Sequence, residues 1–144
     1  MQVKEVKTVF NDYRKTGLLV AFPHCDFKCC HEQGLPTSVC QNCQLKEDQN
    51  IEISQGKIVH MYDPKINKAL ICGGMEPFDD LADLLILINV FRKCYQDDVV
   101  ICTGYNLDEI TPGLLAVLRA YGNIVLKVGR YVAGDAPKYD GDLS

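Results

Sequence analysis

The chain has 144 residues, 47% of them hydrophobic and 24% charged, which suits one globular domain with its own core and excludes wholesale disorder. Lys and Arg number 15 against 19 Asp and Glu, so the net charge is −4, and no basic run offers itself to nucleic-acid phosphates. No apolar stretch approaches the roughly 18 residues of a membrane span, and the opening Met1-Gln2-Val3-Lys4-Glu5-Val6-Lys7 lacks a signal peptide's apolar block, so a cytoplasmic chain is expected.

Residues 1–12 are expected to add a strand or bulged ribbon ahead of the first regular unit. Thr16-Gly17-Leu18-Leu19-Val20-Ala21-Phe22-Pro23 reads as a strand buried on both faces, with Pro23 ending its ladder. A long loop follows from His24 to about Asn50, rich in Cys, Gln, Gly and Pro; loops of this length usually carry function. Ile51 to Tyr62 gives a mixed signal, strand or helix. Ala69-Leu70-Ile71-Cys72 is a second buried strand, stopped by Gly73-Gly74.

Residues 79–95 predict a helix with Leu81, Leu84, Leu85, Ile88, Phe91 and Tyr95 on one stripe and Asp83, Asn89 and Lys93 facing away. Asp79 or Asp80 is expected to supply its N-cap. Val99-Val100-Ile101-Cys102 is a third strand. Thr111 then caps a helix opened by Pro112, carrying Leu114, Leu115, Leu118 and Tyr121 inward and closed by Gly122. Asn123 to Val128 is the fourth strand. Strand alternating with helix implies crossover connections and a mostly parallel sheet in one α/β domain spanning residues 1–144.

Five of the eight cysteines lie between Cys25 and Cys43. In a reducing compartment clustered thiols more often hold a metal or perform redox chemistry than form disulfides. Cys72, Cys94 and Cys102 sit in apolar surroundings and read as small buried side chains.

Ligands of a parallel α/β sheet gather at strand carboxyl ends. Here the first strand runs into Cys25-Asp26-Phe27-Lys28-Cys29, the second into Gly73-Gly74-Met75-Glu76-Pro77 and the third into Thr103-Gly104-Tyr105. A cysteine cluster would therefore lie beside a glycine turn that carries a carboxylate. Four thiolates would close a zinc or iron–sulfur site, whereas three would leave one iron open to a ligand.

This ordered series, spanning roughly residues 15–130, resembles the radical S-adenosylmethionine (radical SAM) superfamily, and within it the small activating enzymes of anaerobic (class III) ribonucleotide reductase. The resemblance implies an incomplete, radical-SAM-type barrel of parallel strands with helices outside, and an enlarged cluster loop at residues 24–50. It implies a [4Fe–4S] cluster on three cysteines, with S-adenosylmethionine chelating the fourth iron through its amino and carboxylate groups. Reductive cleavage of the sulfonium would release an adenosyl radical that takes hydrogen from a backbone glycine of the partner reductase, a glycyl-radical enzyme. An electron donor such as flavodoxin is implied; nucleic acid and membrane are not.

Carried onto this chain, the pattern gives Cys25, Cys29 and Cys40 to the metal, and Gly73, Gly74 and Glu76 to the SAM ammonium, with Thr103 and Tyr105 lining the pocket. The family's third cysteine falls two residues after the second, but Glu32 stands there and Cys30 comes a residue too early. Cys40, followed by Gln41-Asn42, is the preferred third ligand, with residues 30–39 as an insertion; Cys43 is its rival, and Cys25 with Cys40 and Cys43, leaving Cys29 spare, would also match a spacing of the superfamily. Met75 is an extra residue in the glycine turn.

Plainer readings stand beside these. The cysteines, with His31, would suit a structural zinc site in a partner-binding module, and a radical SAM enzyme acting on a small molecule would share the same motifs. Gly73-Gly74 with Glu76 and Asp79 would serve a strand-to-helix turn, and Tyr105 would pack on the next helix. His24 and His60 read as ordinary surface or hydrogen-bonded residues. Lys127, Arg130, Asp97-Asp98 and Lys46-Glu47-Asp48 read as solvated charge.

Overall fold

The computed structural model describes residues 1–25, 32–34, 36, 49–129 and 141–142. Strands β1 (Gln2–Val3) and β2 (Glu5–Val9) open the chain, and β3 (Gly17–Phe22) follows. Beyond the cysteine loop come β4 (Ile51–Glu52), α1 (Gln55–Met61), β5 (Ala69–Gly74), α2 (Leu81–Cys94), β6 (Asp98–Cys102), α3 (Pro112–Tyr121), β7 (Ile124–Lys127) and β8 (Gly141–Asp142). Short 3-10 turns at Pro77–Asp80 and Leu107–Glu109 follow β5 and β6. The mixed signal of residues 51–62 has a simple origin: both elements occur there, a two-residue strand and a seven-residue helix capped by Ser54.

Six strands form one sheet in the order β2-β3-β5-β6-β7-β8. The four central strands are parallel, as in the registers Leu18↔Leu70, Leu70↔Val99 and Val99↔Ile124, while β2 and β8 pair antiparallel at the two edges. β1 and β4 form a separate antiparallel pair.

Strand alternation divides the core in two. Leu18, Val20, Phe22, Leu70, Cys72, Val99, Ile101, Ile124 and Leu126 pack in one buried cluster with Ile58 and Val59 of α1, Leu84, Leu87, Ile88 and Phe91 of α2, and Leu118 of α3. The opposite parity (Leu19, Ala69, Ile71, Val100 and Val125) packs with Val9 and Tyr13 instead. Among the described residues, α1, α2 and α3 therefore cover one face, the result of same-handed crossovers between strands that follow one another in both sequence and space. Burial on both faces explains the uninterrupted apolar runs of β3, β5 and β6.

Several local expectations need correction. Leu81 is 37% exposed, because Phe78 in the preceding 3-10 turn fills the core position three residues earlier. Leu87 joins the buried stripe that the periodicity had given to its neighbours. Gly73-Gly74 ends β5 from within the strand rather than stopping it from outside. Cys94 is exposed, because Tyr95, the next residue, turns back onto Tyr62 and Phe91 and supplies the apolar cover. Asp97 and Asp98 are not idle surface charge. Asp97 accepts from the Tyr62 hydroxyl at 2.6 Å, and Asp98 accepts from Tyr13 and Lys15 at 3.0 and 2.9 Å. α3 forms as its caps dictate, with Thr111 accepting from the Leu114 amide, Pro112 opening the helix and Gly122 closing it at φ 73°.

Among the described residues, no helix is long and apolar enough to cross a membrane.

Candidate functional site

Because β3, β5, β6 and β7 are parallel, their carboxyl ends meet at one end of the sheet, and hydrogen bonds stitch the turns that leave them. Gly74 sits at φ 78°, and a Cβ there would lie 2.8 Å from the Cα and Cβ of Ala21. Only glycine fits this kink, which swings the chain toward the end of β3. Met75 N–H then donates to the Phe22 carbonyl at 3.0 Å and Glu76 N–H to the His24 carbonyl at 2.7 Å. Met75 thus advances the turn along β3, and its side chain is buried.

Glu76 is 3% exposed and ties the second turn to the third. Its Oε2 accepts from the Thr103 hydroxyl at 2.7 Å and the Phe78 amide at 3.2 Å, and its Oε1 from the Gly104 amide at 2.8 Å. Thr103 Oγ1 accepts from the Tyr105 amide at 3.0 Å, which commits its own hydrogen to Glu76. Three donors facing one carboxyl group favour its ionised, acceptor-only form. Burial pushes the Glu76 pKa above the usual carboxylate range; the bonds from Thr103, Gly104 and Phe78 oppose the shift, and the Asp79 charge adds to it.

The third turn is fastened to the fourth strand: Thr103 N–H donates to the Lys127 carbonyl at 2.9 Å and Gly129 N–H to the Tyr105 carbonyl at 2.7 Å. Tyr105 donates its hydroxyl to Asp79 at 3.0 Å and sets its ring edge-on to Phe78, with centroids 5.5 Å apart. Its packing on this turn is thereby accounted for. Asp80 stands at the N-cap of α2 but makes no capping bond; its carboxylate meets His24 instead, and Glu76 caps the 3-10 turn.

Gly73 differs from Gly74. Its φ is not positive, and a Cβ would make only ordinary contacts, 3.5 Å to the Cβ of Cys102 and 3.6 Å to Leu19. The fold does not require glycine at 73, so the bare backbone leaves room that a side chain would fill. The β5–β6 ladder ends at Cys72↔Ile101 while the β3–β5 ladder runs on to Phe22↔Gly74, so β5 and β6 part beside this glycine.

Of the residues assigned from sequence, Cys25, Gly73, Gly74, Glu76, Thr103 and Tyr105 fall on these adjoining turns, Cys25 directly after the anchored His24. Cys29, Cys40 and Cys43 lie outside the described residues, as do Cys30, His31, Lys46-Glu47-Asp48 and Arg130. Among the described residues no three His, Cys, Asp or Glu side chains gather as a ligand set. Cys72 is fully buried on the helix side and its thiol is pushed up by burial. Cys102, on the other face beside Gly73, is pushed up to about 11 by burial against the pull of Lys127.

Sequence reasoning named Gly104 within the Thr103-Gly104-Tyr105 turn without assigning it a role, and overlooked Phe78 and the His24–Asp80 contact. No sequence signal pairs His24 with Asp80. Compared with family models, curated proteins and solved structures, the chain matches none.

Proposed function

We propose that the chain is a radical SAM activating enzyme that installs a glycyl radical on a partner anaerobic ribonucleotide reductase in the cytoplasm. Cys25, Cys29 and Cys40 (or Cys43 in place of Cys40) would hold a [4Fe–4S] cluster. Gly73, Gly74 and Glu76 would form the seat for S-adenosylmethionine, and Thr103 and Tyr105 would border it. The observation that carries this reading is the joining of the Cys25, glycine and Thr-Gly-Tyr turns at one end of four parallel strands. The sequential strand order, with α1, α2 and α3 on one face, supports a partial barrel, because crossovers of one hand coil a sheet toward closure.

When bound, the cluster and SAM supply, with an electron from a donor such as flavodoxin, the radical that removes hydrogen from the partner's glycine. The chain's own residues supply placement. Gly73 leaves its backbone uncovered for close approach. Gly74 turns the segment so that the Glu76 amide reaches the residue before Cys25. Glu76 sets Thr103 and Gly104 relative to the glycine turn. Three of the roughly four acceptor positions of its carboxylate are filled from within, so contact with the SAM ammonium falls chiefly to backbone carbonyls of the turn.

The test is anaerobic reconstitution with ferrous iron and sulfide, followed by electron paramagnetic resonance of the reduced protein with and without SAM. The reading expects a [4Fe–4S] signal that SAM perturbs. Stoichiometric zinc with no sulfide uptake, or a signal indifferent to SAM, would overturn it.

A further inference from the structure

We infer that Asp80 and His24 form a latch that positions the Cys25 turn against the amino end of α2. The inference rests on the reading of Cys25 as a cluster ligand. Its basis is the direction in which the Asp80 carboxylate acts. At the N-cap of a helix an aspartate ordinarily accepts from an amide of the first turn, and exchanging such a cap for alanine costs about 1 kcal/mol. Asp80 occupies that position before α2 and makes no such bond. Both of its oxygens lie 3.0 Å from Nδ1 of His24 instead.

A carboxylate oxygen accepts, so Nδ1–H donates and the imidazole is held in one orientation. The main chain of His24 is fixed as well, since its carbonyl accepts from the Glu76 amide at 2.7 Å. The residue immediately before Cys25 is thus held twice, to α2 through its side chain and to the glycine turn through its backbone. Cys25 stands three residues beyond Phe22, the last residue of β3. A ligand presented by a rigid element fixes the geometry of a site more closely than one presented by a loop. His24 and Asp80 are 54% and 18% exposed on their side chains, so the latch adds little to global stability and its effect is local. His24 and Asp80 are positioning residues, acting through Cys25.

The test uses Asp80→Ser, which restores a good N-cap but cannot reach His24, together with His24→Ala and His24→Asn, the latter keeping a donor close to the place of Nδ1. Amide hydrogen exchange is followed by NMR in the metal-free chain, and the reduced, reconstituted protein is examined by electron paramagnetic resonance. The latch predicts that Asp80→Ser melts no lower than the parent, yet exchanges about two- to five-fold faster at the amides of Cys25 and Glu76, the range an exposed ion pair supports. It predicts shifted g-values in Asp80→Ser and His24→Ala, and recovery of both readouts in His24→Asn. Parental exchange and spectrum in Asp80→Ser would overturn it, as would uniform acceleration across α2 and the sheet. Should the parent assemble no iron and sulfide, the ligand reading fails, and local exchange alone decides whether the latch exists.

Discussion

Gly73 and Gly74 are adjacent, yet the absence of a side chain serves a different end at each. At Gly74 a methyl group would meet the backbone of Ala21 at 2.8 Å and the φ of 78° would strain any other residue, so Gly74→Ala should lose about 2–4 kcal/mol in urea denaturation. At Gly73 the same group would find ordinary contacts. Gly73→Ala should keep its stability within about 1 kcal/mol of the parent, while under the activase reading SAM affinity, measured by calorimetry on the reconstituted protein, falls at least roughly ten-fold, or about 1.4 kcal/mol. Glu76 makes a prediction in pH. Its folded-state pKa is raised, chiefly by burial, so the fold favours its protonated form. That contribution is present below the unfolded value and lost as pH rises through the folded value. The stability of the parent minus that of Glu76→Gln should therefore fall as pH rises from the ordinary carboxylate range toward neutrality, in urea melts taken across that interval. A difference that grows with pH would contradict the shift. The glycine pair and Glu76 were legible in the sequence as a turn at a strand end. The partners of Glu76 were not, because Thr103 lies 27 residues further on and only the sheet brings the two turns together.

Arg92 shows how elements are joined where propensity alone is silent. It leaves the last turn of α2 and donates to five backbone carbonyls: Tyr95 and Asp97 in the turn before β6, Tyr121 and Gly122 at the end of α3, and Asn123 at the start of β7. It thereby satisfies orphan carbonyls at the end of α3 and locks two helices to two strands. Arg92→Met keeps the apolar stem and removes every donor, and should cost about 2–3 kcal/mol by thermal or urea denaturation. Reading the same position as solvated charge would predict a change within about 0.5 kcal/mol. α3 was fully legible, because Thr111, Pro112 and Gly122 are local signals that act within one turn of their own backbone. The start of α2 was not, since Asp80 turns to His24, beyond the end of β3, and Phe78 takes the core place offered to Leu81. Asp97 and Asp98 were misread for the same reason: their partners Tyr62, Tyr13 and Lys15 come from distant segments.

The parallel sheet as a whole was legible from its alternating strands and helices, and its strand order follows once every crossover takes the same hand. The antiparallel edge strands were less so, since β2 carries alternating charge and β1 and β4 are two residues each. Cys25→Ala and Cys29→Ala test the molecule as an assembly. Under the activase reading each should abolish SAM cleavage, assayed as methionine released under reducing, anaerobic conditions, while circular dichroism keeps the α/β signature. Loss of folded structure together with the metal would instead favour a structural zinc module. Neighbouring strands also differ in how far apart they lie along the chain. β5, β6 and β7 pair over short intervals, as in Ala69↔Asp98 and Val99↔Ile124, whereas β3 must wait for β5 across the whole cysteine loop, as in Gly17↔Ala69. During synthesis the slow step of loop closure therefore falls at the β3–β5 junction. That junction also sets the residue before Cys25 against the glycine turn, so under the activase reading iron and sulfide delivered to a nascent chain would find no finished seat until β5 had emerged and docked.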